Sequence, residues 1–234
     1  MVTNVYIDGF NLFHGCLQRT PYRWLDPIRL IAYHFPQNRI NIVRFFTAPV
    51  QPPPHDADQR NRQEIYWRAL RTIPNLYIHN GHFQVQSQRM KLLYPLQDGS
   101  EYVEVIKSEE KGSDVNLASY LLVDTFGVDE KTKCEAVIVV SNDADLATPL
   151  KLARQKFKIK AAVLHPLRRN LDQLFWPSNC IPPNATRSLP HASIELKRTG
   201  ARSVEIDETA LICSQFDDII LDQHGTIHKP ASWY

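Results

Sequence analysis

Four aspartates are the residues best suited to chemistry in this chain: Asp8, Asp114, Asp143 and Asp145. Carboxylates gathered at one point repel one another, and one of them stays protonated unless a cation joins them. An all-oxygen donor set with no thiolate nearby suits Mg2+ or Mn2+ better than zinc. Such an ion activates water and neutralises the charge that builds on a phosphodiester during in-line attack. Each aspartate also has a plainer reading. Asp8 closes a strand as a turn former would, and Asp143 and Asp145 fit an Asx turn capping a following helix. Asp114 complements a helix dipole in its first turn, and Asn11 is placed to cap a first helix. Their coincidence at one edge is what favours a shared metal site over separate caps.

That edge follows from the elements around them. Val2 to Ile7 is β-branched, aromatic and uncharged, the pattern of a strand buried inside a parallel sheet. Ile40 to Ala48 is a second apolar strand, leading into the Pro-rich stretch Pro49 to Pro54. Arg60 to Thr72 reads as an amphipathic helix stopped near Pro74, and Leu76 to Ile78 as a brief strand. Phe83 to Val85, Met90 to Tyr94 and Tyr102 to Ile106 alternate in polarity, with an Asp98-Gly99 turn, and form a β-hairpin excursion. Ser113 to Phe126 is a helix between two glycines, with Asp114 prolonging its apolar stripe of Leu117, Ala118, Leu121 and Leu122. Ala136 to Val140 is the most apolar strand, a helix runs from about Ala144 to Lys156, and Ile159 to Leu164 is the next strand. Beyond Phe175 the pattern weakens into prolines, a weak strand near Ala192 to Lys197, a helix from Glu208 to Leu221 and an irregular tail. The expected fold class is α/β, a three-layer sandwich on a mainly parallel central sheet. Residues 1–176 would form the catalytic domain and 177–234 a C-terminal extension packing on it. Ligands of such sheets bind beyond the carboxyl ends of strands, where Asp8, Asp143 and Asp145 fall.

The bulk composition sets limits. With 234 residues, 43% hydrophobic and 22% charged, the chain can bury a core without staples. Its 27 Lys and Arg against 25 Asp and Glu provide no strong steering field for a polyanion, so any nucleic-acid contact must be local. Arg168 and Arg169, after the strand Ile159 to Leu164, are the best-placed phosphate contacts; the cluster Lys151, Arg154, Lys156, Lys158 and Lys160 fits a solvated face. The four cysteines have no metal-binding spacing. The histidines lack a zinc pairing, His165 at a strand end being the exception worth following. No signal peptide or membrane-length apolar run is present, so a cytoplasmic protein without a membrane partner is expected. A homo-oligomer is compatible with these features. No Gly-rich fingerprint follows any strand, which disfavours a flavin or nicotinamide enzyme.

Three motifs, Tyr6-Ile-Asp8-Gly-Phe-Asn11, Lys111-Gly-Ser-Asp114-Val and Ser141-Asn142-Asp143-Ala-Asp145-Leu146, resemble those of the NYN domain family. These are PIN-like nucleases, including the bacterial LabA or DUF88 group. The resemblance spans about Val2 to Trp176 and implies a PIN-like fold with Asp8, Asp114, Asp143 and Asp145 as a catalytic, metal-binding cluster. It implies an Mg2+- or Mn2+-dependent hydrolase, an RNase more than a DNase, in which Asn11 and Lys111 match polar positions of the family's motifs. Ser141 and Asn142 of the third motif, with Arg168 and Arg169 by their place after the strand, complete the expected substrate contacts. Many relatives carry a further aspartate where this chain has Tyr120, and Asp124 is a poorly angled substitute one turn later. Two alternatives stand beside the nuclease: a metal-dependent enzyme acting on a small molecule, and a catalytically weak nucleic-acid-binding or regulatory module.

Overall fold

The computed structural model describes residues 1–127, 129–167 and 191–233. In chain order its strands are β1 (Val2–Asp8), β2 (Arg39–Thr47), β3 (Leu76–Asn80), β4 (His82–Lys91), β5 (Tyr102–Lys111), β6 (Ala136–Val140), β7 (Lys160–His165), β8 (Arg202–Glu205), β9 (Ile219–Asp222) and β10 (Gly225–His228). The helices are α1 (Gly9–Leu12), α2 (Pro27–His34), α3 (Gln59–Arg71), α4 (Ser113–Phe126), α5 (Ala147–Lys156), α6 (Ile194–Lys197) and α7 (Glu208–Cys213).

Six strands form one sheet in the order β3-β2-β1-β6-β7-β8, and every neighbouring pair is parallel. This is the expected three-layer sandwich. Period-2 alternation divides the side chains between two cores. Val5, Ile7, Phe45 and Val140 pack towards α2, α3 and α7 with Leu30, Trp67, Leu70 and Leu211. Tyr6, Phe46, Val139 and Val163 face Leu117 and Leu121 of α4, Leu150 of α5 and Leu196 of α6. All five residues of β6 are buried, as a strand covered on both faces requires. The chain runs outward from β1 through β2 to β3, then returns across the sheet to β6 and continues outward to β8. The order reverses between β1 and β6, where crevices form in open parallel sheets.

Several local expectations change. The excursion contains two ten-residue strands rather than three short ones, because β4 and β5 pair without interruption from His82↔Lys111 to Lys91↔Tyr102. The expected strand near Ala192 contains α6 instead, started by the Ser193 hydroxyl accepting from the Leu196 N–H. The helix expected to reach Leu221 ends at Cys213. There the Asp26 N–H donates to Ser214 O and the Phe216 N–H to Trp24 O, drawing the chain into extended contact with Leu25. Among the described residues, no helix is long and apolar enough to cross a membrane.

Candidate functional site

The carboxyl ends of β1 and β6 open into a cleft of about 1360 Å3, lined among others by Asp8, Asn11, Asp114, Asn142 and Asp143. Asp8 ends the most central part of the sheet and is only 5% exposed. One carboxylate oxygen caps α1 by accepting the Asn11 N–H at 2.9 Å, and the other accepts the Ser141 hydroxyl at 3.0 Å. Gly9 is needed next to it, since a Cβ there would meet the Phe46 carbonyl at 2.7 Å. Loss of hydration raises the Asp8 pKa from its ordinary 3.8 to about 6; the nearby charges of Asp114 and Asp143 push the same way, against its two hydrogen bonds. Asp114 also titrates above the ordinary range, first through loss of hydration and then through Asp143, Glu110 and Asp145.

The loop after β6 is tied down by its own polar groups. Asn11 Oδ1 accepts the Asn142 N–H at 2.8 Å, which locks the β1 and β6 loops together. The Asp143 N–H donates to Ser141 Oγ, and Asp143 Oδ1 accepts the Asp145 N–H. The Asn142 amide donates to His191 O, which fixes Oδ1 as the acceptor for Ser193 N–H and for His165 Nδ1. His165 is fully buried, with Nε2 2.7 Å from Ser203 Oγ, and burial lowers its pKa to about 4. It is a neutral strut between β7, the β6 loop and β8, rather than a ligand.

The structure therefore gathers Asp8, Asp114 and Asp143 at one cleft, with Ser141 buried beneath Asp8. Asp114 is exposed at the cleft and does not extend the buried stripe of α4, which consists of Ser113, Leu117, Leu121, Asp124 and Thr125. Asp145 is exposed and outside the lining. Lys111 pairs with Glu109 at 3.0 Å and does not line the cleft either. Arg168 and Arg169 lie outside the described residues. Asp124, the candidate replacement for the missing acidic position at Tyr120, is 2% exposed and belongs to another network. It receives the Tyr6 hydroxyl at 2.9 Å and two N–H groups of Arg44, whose guanidinium stacks over Tyr120 at 4.4 Å.

Sequence reasoning missed the aromatic and basic walls. Phe10 of α1 meets Phe83 of β4 edge-on at 5.6 Å and lies parallel to His14 at 6.3 Å. All three line the cleft with Arg19, Arg23 and Arg62. His14 stands in a π-helical segment, Phe13–Leu17, a widened turn with no sequence signature and a frequent companion of functional sites. Phe10 sits inside a quoted motif, so its proximity to Asp8 was visible; the approach of Phe83 from the hairpin was not.

No family model matches the chain. It is 28% identical to 6-hydroxy-3-succinoylpyridine 3-monooxygenase of Pseudomonas putida, over 99% of this chain and 75% of that protein. It also resembles a solved structure of unknown function from Vibrio parahaemolyticus, with a TM-score of 0.50 and 15% identity, covering 88% of this chain and 93% of that one. The second likeness supports the α/β fold alone.

The monooxygenase relative overturns the reading of this chain as a metal-dependent nuclease, with its hydrolase and RNA-binding expectations. The Mg2+ or Mn2+ expectation falls on that finding and on side-chain geometry. Among the described residues, no group of three or more His, Cys, Asp or Glu is arranged to hold a metal ion. The physical reason is that the four aspartates do not converge: Asp145 stands exposed outside the cleft that Asp8, Asp114 and Asp143 line. Oxygenation of the kind named for the relative draws electrons from a reductant, often a dinucleotide. The strand-order reversal, where a pyrophosphate would sit, presents three carboxylates and an Asn11 N–H already given to Asp8. These residues do not fit a dinucleotide at that point, and no step is assigned to one.

Proposed function

We propose that this protein is a small-molecule oxygenase acting on a hydroxylated aromatic or heteroaromatic ring, with Asp8 as the base that ionises the ring hydroxyl. The observation that carries this reading is a buried carboxylate with a pKa of about 6, in the same cleft as the edge-on aromatic pair Phe10 and Phe83. The near full-length similarity to a pyridine monooxygenase supports it. Each Asp8 oxygen keeps a second lone pair beyond its bond to Asn11 or Ser141, so it can accept one proton more. A carboxylate with this pKa is about a hundredfold stronger as a base than an ordinary one, yet remains mostly ionised at neutral pH.

Ionising a ring hydroxyl moves electron density to the carbons ortho and para to it, which then attack an electrophilic oxygen. In the relative's name the oxygenated C3 is para to the hydroxyl-bearing C6, the relation this chemistry requires. Because that C3 already carries the acyl group, insertion there breaks the C3–acyl bond. One dioxygen, two electrons from a reductant and two protons place one oxygen atom between C3 and the acyl carbon and release one water. Hydrolysis of the resulting ester frees the ring hydroxyl and the acyl group as its carboxylic acid. Asp8 takes up the hydroxyl proton, the Phe10–Phe83 pair gives the ring one aromatic wall to pack against, and loss of hydration together with Asp114 and Asp143 keeps Asp8 basic. The test is turnover of 6-hydroxy-3-acylpyridines with a dihydronicotinamide reductant under isotopically heavy dioxygen. Substrate-dependent oxygen uptake and one heavy atom in the product are expected, both lost in Asp8→Asn. A new ring oxygen derived from labelled water rather than from dioxygen would end this reading.

A further inference from the structure

The cleft wall also carries two arginines, Arg23 and Arg62. Arg23 is fixed by three contacts: its Nε donates to Thr20 O at 3.0 Å, its Nη2 donates to Ser232 O, and its guanidinium lies 5.5 Å from the Trp233 ring centroid. Arg62 Nη2 donates to both carboxylate oxygens of Asp56. Arg23 lies close enough to Arg62 that, after burial, the second guanidinium is what lowers its pKa, and Asp56 opposes this. Two guanidiniums thus share one carboxylate, leaving an excess positive charge in the wall of the cleft. Immobilising two long cations that repel each other brings no gain to the folded chain by itself. Among the described residues, Nη1 of both arginines and Nε of Arg62 donate to no acceptor.

We infer that Arg23 and Arg62 form an anion subsite for a carboxylate borne on a side chain of the aromatic substrate. The planar donor forks of arginine match carboxylate geometry. One carboxylate balances the excess charge, whereas a phosphate dianion would overfill it and face Asp56. The substrate class is then an aromatic ring with an ionisable hydroxyl at one end and a flexible acid at the other, spanning the two charged groups. The existence of the anion subsite stands on the arginines alone; only the nature of the attached ring rests on the oxygenase reading.

Calorimetric binding to the intact protein, without turnover, tests this with four probes: 6-hydroxy-3-succinoylpyridine, its tail-less 3-acetyl counterpart, succinate and inorganic phosphate. The succinoyl compound is expected to bind at least about tenfold tighter than the acetyl compound, and the difference to shrink with added salt. Arg62→Gln should erase the preference without weakening the acetyl compound, and Arg62→Lys should restore part of it. If both ring compounds fail to bind but succinate binds and is lost in Arg62→Gln, the subsite stands while the oxygenase reading fails. If the ring compounds bind and the preference survives in Arg62→Gln, the subsite is refuted with the oxygenase reading intact. Equal or tighter binding of phosphate than succinate, or binding of none of the four probes, also refutes it.

Discussion

Replacing Asp8 with asparagine separates the stability of the site from its chemistry. The carboxyl is 5% exposed, and its pKa is higher in the folded chain, about 6 against 3.8. Folding therefore favours its protonated form. That contribution is complete below pH 3.8, fades as the pH climbs, and is gone above about 6. The difference corresponds to roughly 3 kcal/mol at neutral pH. Asparagine does not titrate and escapes this penalty, but it loses about 1 kcal/mol where its amide fits the Asn11 and Ser141 donors less well. Asp8→Asn should then unfold roughly 4–8 °C above the parent at pH 8, with the gap closing towards pH 4. Thermal melts followed by circular dichroism at steps of pH would show it. In the parent, kcat/KM should fall as pH drops through about 6, while the variant is inactive throughout. A variant less stable than the parent by the same amount at every pH would refute the argument. Asp8 would then be a contented helix cap with an ordinary pKa, and its role as a base would lose its foundation.

Other perturbations probe the wall and the core. Phe83→Ala removes the edge-on partner of Phe10 and should raise KM about three- to tenfold, with kcat and the melting temperature little changed, because Phe83 is only partly buried at the base of the hairpin. Asp124→Ala strands the Arg44 guanidinium and the Tyr6 hydroxyl in a nearly closed site. It should cost about 3–5 kcal/mol in denaturant unfolding, while protein that remains folded binds ring ligands as the parent does.

The sheet was legible because burial leaves marks on sequence. The five apolar residues of β6 and the uncharged, β-rich run of β1 before Asp8 announce strands covered on both faces, and the glycines around α4 mark its ends. The meeting of Asp8 and Asp143 at one edge was legible too, since carboxyl ends of neighbouring parallel strands share it, whereas Asp114 reaches the same cleft from the first turn of α4 and Asp145, expected there, does not. What those carboxylates do was not. The burial that raises the Asp8 pKa, and the outward placement of Asp145, are tertiary properties that the sequence does not display. The pairing of Arg23 with Arg62 was equally hidden, because it joins the segment after α1 to the first turns of α3. Segments beyond residue 190 were misread where tertiary contacts overrode weak local patterns, as at Phe216, whose N–H is claimed by Trp24.

The position of β1 also governs how the molecule must be made. It is the first strand in the chain, yet it pairs with β2 on one side and with β6 on the other. The first partner follows within about fifty residues, while the second begins only at Ala136. Throughout the synthesis of the intervening stretch, including the β4–β5 ribbon, one edge of β1 is left without its ladder. An open, apolar strand edge is a template for pairing with another nascent chain. Chains stalled before Ala136 would therefore be sticky as well as inactive, and slow translation through the ribbon would lower the soluble yield more than the same delay after β6.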